Sequence, residues 1–273
     1  MKHSPSQPGH RPLILVTWNV NGIRARSGEL VALIEAERPD ILCLQEIKAS
    51  PAQVPDQLAT AADYSCCWHG GGGYSGVALL VRRSTHPEPP AFFHPAFDME
   101  HRIAVADLGP VRLASVYVPN GGRDYDAKLR FLEALAGWAH ETASAGRTLL
   151  LCGDLNVAFE DRDVHPKERK PNQVGTRPDE RAWLTRLFEA SLVDVGRALD
   201  PANDALFTWW PPWRNLRQRN IGWRIDYVLA SRNVAARARA SESRREFGTS
   251  DHAPLIVTFD PDPADPAPPA PIP

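Results

Sequence analysis

Short apolar runs recur along the chain, and several of them stop at polar residues. They read LILVTW from Leu13, ILCLQ from Ile41, VALLV from Val77, LASVYV from Leu113, LLLC from Leu149, IDYVL from Ile225 and LIVTF from Leu255. Runs of this length, rich in leucine, isoleucine and valine, are strand signatures. Helical spacing appears between some of them, at Leu30, Leu33 and Ile34, at Leu129, Leu132, Leu135 and Trp138, and at Trp183, Leu184, Leu187 and Phe188. The repeated mixture predicts an α/β layered domain in which helices cover sheets.

Composition narrows the class. With 273 residues, 43% hydrophobic and 23% charged, the chain can bury a large core, so disorder and fibrous classes are excluded. The formal charge of −2 means it is not a net polycation. No apolar run approaches the ~20 residues of a membrane span, and the opening MKHSPSQPGHRP has no apolar export stretch. A soluble cytoplasmic protein is expected, with monomer the default state. Seven of the last 13 residues are proline. The expected organisation is therefore a flexible N-terminus over 1–12, a single domain over 13–260 and a Pro-rich disordered tail over 261–273. The cysteines at 43, 66, 67 and 152 form no C-x-x-C pair and have no histidine at zinc spacing. They are expected buried and reduced, with redox activity the alternative for the vicinal pair Cys66-Cys67, although nothing beside it would lower a thiol pKa.

The polar residues that end these runs carry chemistry. WNVNG, QEIK, YVPNG and GDLN each stand at the end of a predicted strand. Rigid strands that hold carboxylates and carboxamides at one edge make a pre-organised site for a metal or a phosphate. Glu46, Asp154 and Asp251, with Asn19 and Asn156, offer only oxygen ligands, which suits Mg²⁺ or Mn²⁺ and not zinc. Taken singly, each has an ordinary reading: Asn21-Gly22 is a turn signal, Glu46 can pair with Lys48, and Gly153-Asp154 can be a plain turn. Asp226 differs, because a carboxylate inside the run RIDYVL must find a partner or bear a desolvation penalty. A histidine is the natural partner.

The strings TWNVNGIRA, LCLQEIK, YVPNG, GDLNVA, GWRIDYVLAS and SDHAP resemble, in order, the signature segments of the exodeoxyribonuclease III and apurinic/apyrimidinic endonuclease family. They span Thr17 to Pro254. The resemblance implies a four-layer α/β sandwich, two packed and mainly antiparallel sheets flanked by helices, and Mg²⁺-dependent hydrolysis of DNA phosphodiesters, with Mn²⁺ a possible substitute. By resemblance, Asn19 and Glu46 belong to the metal site, with Asp251 before the histidine binding a second metal or orienting substrate. Asn21 stands where some relatives place an aspartate near the ion. His252 matches the catalytic histidine and Asp226 its carboxylate partner. Asp154 and Asn156 match the pair that orients the attacking water and holds the scissile phosphate, which Tyr117 also contacts. Asn172 matches a phosphate-contacting asparagine, Arg177 lies in the same substrate-bordering loop, and Trp209 and Trp223 match the aromatic walls of a pocket for a sugar lacking its base.

A phosphodiester is anionic and repels hydroxide, so cleavage needs a cation on the non-bridging oxygens, an in-line water and a stabilised leaving oxygen. Either a protonated His252 clamps the phosphate and Asp154 is the base, or a neutral His252 takes the proton. The implied partner is duplex DNA carrying abasic sites or 3′ blocks, with no membrane. The window Ala205–Ser250 fits it, holding nine arginines (214, 217, 219, 224, 232, 237, 239, 244, 245) against Asp226, Glu242 and Glu246. The chain departs from the family in DVHPKERKPNQVGTRPDE, where His165, Arg169 and Arg177 are local changes that leave the balance among activities open. Because the same sandwich serves phosphatases of inositol lipids and sphingomyelin hydrolases, fold alone does not choose the substrate.

Overall fold

A computed structural model describes residues 11–59 and 61–261. The expectations for the two termini fall, apart from residues 11, 12 and 261, outside that set. Twelve strands form two sheets: β1 (Leu13–Asn19), β2 (Ile41–Gln45), β3 (Tyr64–His69), β4 (Val77–Arg82), β5 (Ala91–Phe93), β6 (Ile103–Leu108), β7 (Val111–Tyr117), β8 (Thr148–Asp154), β9 (Leu192–Asp194), β10 (Asp226–Ser231), β11 (Ala238–Ser243) and β12 (Leu255–Phe259). The helices are α1 (Ile23–Glu37), α2 (Asp56–Ala59), α3 (Tyr125–Ser144), α4 (Pro178–Glu189), α5 (Val195–Leu199) and α6 (Arg232–Ala235).

The first sheet runs β11-β12-β1-β2-β4-β3 and the second β5-β6-β7-β8-β10-β9. Each contains one parallel pair, β1 with β2 and β7 with β8, flanked by antiparallel neighbours. Alternation along the strands builds three apolar layers. Leu15, Cys43, Leu79, Leu113, Leu150 and Cys152 point between the sheets. Val16, Leu42 and Leu80 turn outward onto Leu30 and Leu33 of α1 and Leu58 of α2. Val105, Leu149 and Leu151 turn the other way, onto Phe131, Leu132 and Leu135 of α3 and Leu184 of α4. Strands covered on both faces read as continuous apolar runs, which is why these were legible. The result is the expected four-layer α/β sandwich.

The strands not anticipated have physical reasons for silence. β3, β5, β9 and β11 are sheet edges, where sequences are mixed, as in YSCCWH and ARASES. β6 is interior, but its buried inter-sheet residues are the small Ala104 and Ala106, with Leu108 only partly buried beside them. On α3 the buried stripe includes Lys128, while Leu129 is only half-buried. All four cysteines are free, but only Cys43 and Cys152 are buried as expected; Cys66 and Cys67, on the edge strand β3, are half-buried. Burial pushes the Cys66 and Cys67 thiols up to about 11, so neither is activated. Among the described residues, no helix is long and apolar enough to cross a membrane.

Candidate active site

The two parallel pairs end at the same rim. β1 and β2 stop at Asn19 and Gln45, and β7 and β8 stop in register at Tyr117 and Asp154. β10 runs antiparallel to β8 and starts there, with Asp226 opposite Asp154. A polar clamp beneath the rim joins the sheets: Gln45 Nε2 donates to Thr17 Oγ1 and Ser115 Oγ, each at 3.1 Å, and Ser115 Oγ donates to the Leu44 carbonyl at 3.2 Å. Gly153 lets β8 approach β7 closely. Its φ is +140°, and a Cβ there would lie 2.0 Å from the Val116 carbonyl oxygen. Backbone strain gathers at the same rim, where Asn21, Glu46, Lys48 and Asn156 are left-handed non-glycine residues.

Bringing His252 to Asp226 requires a spacer. The segment Phe207–Trp210 is bonded on one side to Trp223, through Thr208 N–H and Trp209 N–H to its carbonyl. On the other side Trp210 N–H donates to the Asp251 carbonyl and Ala253 N–H to the Thr208 carbonyl. Trp18 Nε1 donates to the His252 carbonyl at 3.1 Å and Ser250 Oγ to the Asn19 carbonyl at 2.7 Å, which ties the loop to the end of β1. His252 Nδ1 then meets Asp226 Oδ2 at 2.9 Å, and its Nε2 lies 3.8 Å from Asp154 Oδ2. The partner expected for Asp226 is therefore present.

Asn19 Nδ2 bridges two carboxylates, donating to Glu46 Oε1 and Asp154 Oδ2, both at 2.9 Å. Asp154 also accepts from the backbone N–H of Asn156 at 2.9 Å and from its Nδ2 at 3.3 Å. Donor atoms of Glu46, Asp154 and His252 lie within 4.8 Å of one another. Asp251 stands to one side, with Oδ1 accepting from Asn21 Nδ2 at 2.8 Å and Oδ2 from Trp209 Nε1 at 2.9 Å. Asn21 joins it to Lys48, whose Nζ donates to Asn21 Oδ1 at 2.6 Å and pairs with Glu46 Oε2 at 2.9 Å. The ordinary reading of Glu46 as a partner of Lys48 thus holds together with its place at the rim.

Charge decides the protonation states. Burial works against a charged His252, but the carboxylates of Asp226 and Asp154 outweigh it and push its pKa up to about 10. For Asp154, burial and then the charges of Asp226 and Glu46 outweigh the pull of His252 and raise it to about 7. Burial would raise Glu46, yet hydrogen bonds from Asn19 and Lys48 hold it below its ordinary value. Asp251 is also held low against burial, by His252, Trp209 and Asn21. Tyr117 is 5% exposed. Burial and the charges of Glu46 and Asp154 hold its hydroxyl protonated, with the Arg102 guanidinium 4.7 Å from its ring centre. Four carboxylates here face two cations, His252 and Lys48. A divalent cation would balance that excess, and the oxygen donors suit a hard ion.

The remaining expectations divide. Trp209 is half-buried and meets Trp223 edge to face at 6.1 Å, while Trp223 is buried, only 5% exposed. Asn172 and Arg177 stay out of the polar cluster: Arg177 Nε donates to the Asn172 carbonyl at 3.1 Å, and its guanidinium covers the Tyr125 ring at 4.3 Å. The arginine window is not one basic face. Arg224 is buried between Asp163 and Asp194, and Arg217 donates to the carbonyls of Arg245, Phe247 and Ser250. Arg239, Arg244 and Arg245 pair with Asp260, Glu37 and Glu246. Ser115 and Lys128 carried no distinctive sequence signal, because single polar residues become informative only when packing shows what they touch.

The Endonuclease/Exonuclease/phosphatase family matches residues 16–252. The chain is 32% identical over 248 residues to the exodeoxyribonuclease of Bacillus subtilis, covering 88% of this chain and 97% of that protein. It is 31% identical over 252 residues to Recombination repair protein 1 of Drosophila melanogaster, covering 90% of this chain but spanning only 37% of that longer protein. A solved structure of a 3′ phosphatase from Neisseria bound to a product DNA hairpin is 30% identical, with a TM-score of 0.83, covering 91% of this chain and 99% of that one. With its ordered motifs converging at one rim, the chain belongs to the endonuclease/exonuclease/phosphatase family, in its exodeoxyribonuclease III and apurinic/apyrimidinic endonuclease branch.

Proposed function

We propose that residues 13–260 form the catalytic body of a Mg²⁺-dependent phosphodiesterase of duplex DNA. It incises 5′ to abasic sites and removes 3′ blocking groups or 3′ nucleotides, working as a cytoplasmic monomer. The observation that carries this reading is the meeting of Glu46, Asp154, Asp226 and His252 within one rim. Glu46 would hold the ion, with Asn19 beside it and Asp251 across Asn21; Mn²⁺ is a possible substitute. When bound, the ion would neutralise the non-bridging oxygens and steady the leaving 3′ oxygen.

The chain's own groups supply the rest. His252, kept as an imidazolium by Asp226, presents Nε2 as a charged donor to the phosphate. Asp154, with a pKa of about 7, takes the proton of the attacking water, which Asn156 helps to orient. Tyr117 keeps its proton and donates it to a phosphate oxygen in a hydrogen bond. Asn21, Asn172 and Arg177 would line the path of the strand, and Trp209, backed by the buried Trp223, covers the face of a sugar without a base.

Purified protein with Mg²⁺ is expected to nick a duplex containing one abasic site and to trim a 3′-phosphate, and chelation should stop both. An intact abasic duplex and an intact 3′-phosphate after prolonged incubation with Mg²⁺ or Mn²⁺ would overturn the proposal.

A further inference from the structure

Lys128 of α3 and Glu180 of α4 form an ion pair in which neither side chain is exposed to solvent. Burying two charges is costly, and such a pair often adds little to folding stability compared with apolar side chains. What the pair holds is therefore the informative part. Lys128 Nζ donates to the Asn156 carbonyl at 2.8 Å and reaches the Asn120 carbonyl at 3.5 Å. Glu180 accepts from the Gly175 N–H at 2.7 and 3.0 Å and from the Arg177 N–H at 3.2 Å.

These contacts lie on two segments that border the rim. Asn156 is left-handed, with φ 52°, and its amide reaches both Asp154 and the Val118 carbonyl. Asparagine tolerates this conformation better than other residues with a Cβ, and the Lys128 bond to its carbonyl fixes which way the segment leaves it. Gly175 is also left-handed, with φ +93°, and a Cβ there would lie 3.0 Å from the Trp223 ring. The two segments are joined by Ala158 N–H donating to the Gly175 carbonyl at 2.7 Å.

We infer that Lys128 and Glu180 are a positioning pair, which sets Asn156 against Asp154 and the 171–177 loop against Trp223 as one unit. The pair touches no reacting atom and acts through Asn156 and the loop. The inference rests on the proposed phosphodiesterase activity for its kinetic readout only, because the coupling of the two segments has a readout of its own.

The test uses the full chain as Lys128→Met/Glu180→Gln. This variant removes both charges and keeps an acceptor for Gly175 and Arg177, but it loses the donor to Asn156. Amide hydrogen exchange should rise at least 10-fold in peptides covering 155–159, with α3 and β8 unchanged and the melting temperature within a few degrees of the parent. On an abasic duplex, kcat should fall at least 10-fold, with KM within about threefold. Lys128→Ala/Glu180→Ala removes both anchors and should extend the exchange increase to 171–177. Unchanged exchange at 155–159, or a kcat within threefold of the parent, overturns the positioning role. A drop in activity that only follows a lower folded fraction overturns it too, in favour of a purely structural pair. If the parent protein itself does not cut DNA, the proposed function fails and the exchange data alone decide the coupling.

Discussion

Replacing Asp226 by Asn tests the central electrostatic arrangement with the loss of one charge and almost no change in shape. Asp226 and His252 are 2% and 4% exposed and share one hydrogen bond of 2.9 Å. A bond to a charged partner contributes roughly 1.5–3 kcal/mol, about twice a neutral one. The amide therefore forfeits on the order of 1 kcal/mol even where its oxygen still accepts from Nδ1. Asp226 Oδ1 has no hydrogen-bond partner among the described residues, so an amide NH₂ placed there is a buried unpaired donor, costing about 1–3 kcal/mol. Rotating the amide instead points NH₂ at Nδ1 and forces the neutral, inverted tautomer; in the serine-protease triad the equivalent change lowers kcat by about 10⁴. The expected loss of kcat therefore runs from about fivefold, if the oxygen still accepts from Nδ1, to about 10⁴-fold for the rotated amide, while the unpaired donor lowers folding stability. The pH dependence has a definite sign. His252 is held near 10 in the parent, so its imidazolium persists through neutral pH; without the carboxylate its pKa falls toward 6.5, and activity is lost as pH rises through that value. Steady-state kinetics on an abasic duplex from pH 6 to 9, with fluorescence anisotropy for DNA affinity, would measure both. A kcat within threefold of the parent at pH 7.5, or an unchanged pH profile, would refute the reasoning.

Gly153→Ala would press a methyl group onto the Val116 carbonyl at a left-handed φ, and urea denaturation should show a loss of about 3 kcal/mol or more. Burial alone would raise the Asp163 pKa, but Arg224, the Glu160 N–H and Arg197 hold it low. Its stabilisation is therefore complete above the ordinary carboxyl value near 3.8 and is lost as pH falls through the depressed one. Asp163→Asn should cost roughly 3–5 kcal/mol at pH 7 and flatten the acid side of the stability curve, as urea titrations at pH 7 and pH 3 would reveal. Trp209→Ala removes the indole between Asp251 and Trp223. It should raise KM for an abasic duplex about 10-fold, equivalent to about 1.4 kcal/mol, with a smaller change for a 3′-phosphate substrate; equal effects on both would count against an abasic pocket.

Motif and burial made much of the molecule legible in advance. β1, β2, β4 and β12 match their apolar runs almost residue for residue, because a strand covered on both faces has little choice but to be apolar. Edge strands such as β11, which reads ARASES, carried no comparable signal. The arginine window misled for a related reason. A count of charges along the chain does not reveal that Arg224 is buried against Asp163 or that Arg217 is spent on three carbonyls.

By itself the sequence determined which chemical groups stand at the strand ends, namely acids, amides and one imidazole in an order that identifies the family. Side-chain chemistry and strand alternation are local properties that the chain carries wherever it goes. The tertiary structure alone decided the distances: Trp18 meets the His252 carbonyl across 234 residues of chain, and Asn19 meets Asp154 across 135. Such contacts exist only once two sheets pack with their parallel pairs ending at a common rim. Packing likewise gave Lys128 and Glu180 a partner in each other, since an isolated charge on a helix has no reason to be buried until an opposite charge and unpaired backbone groups surround it.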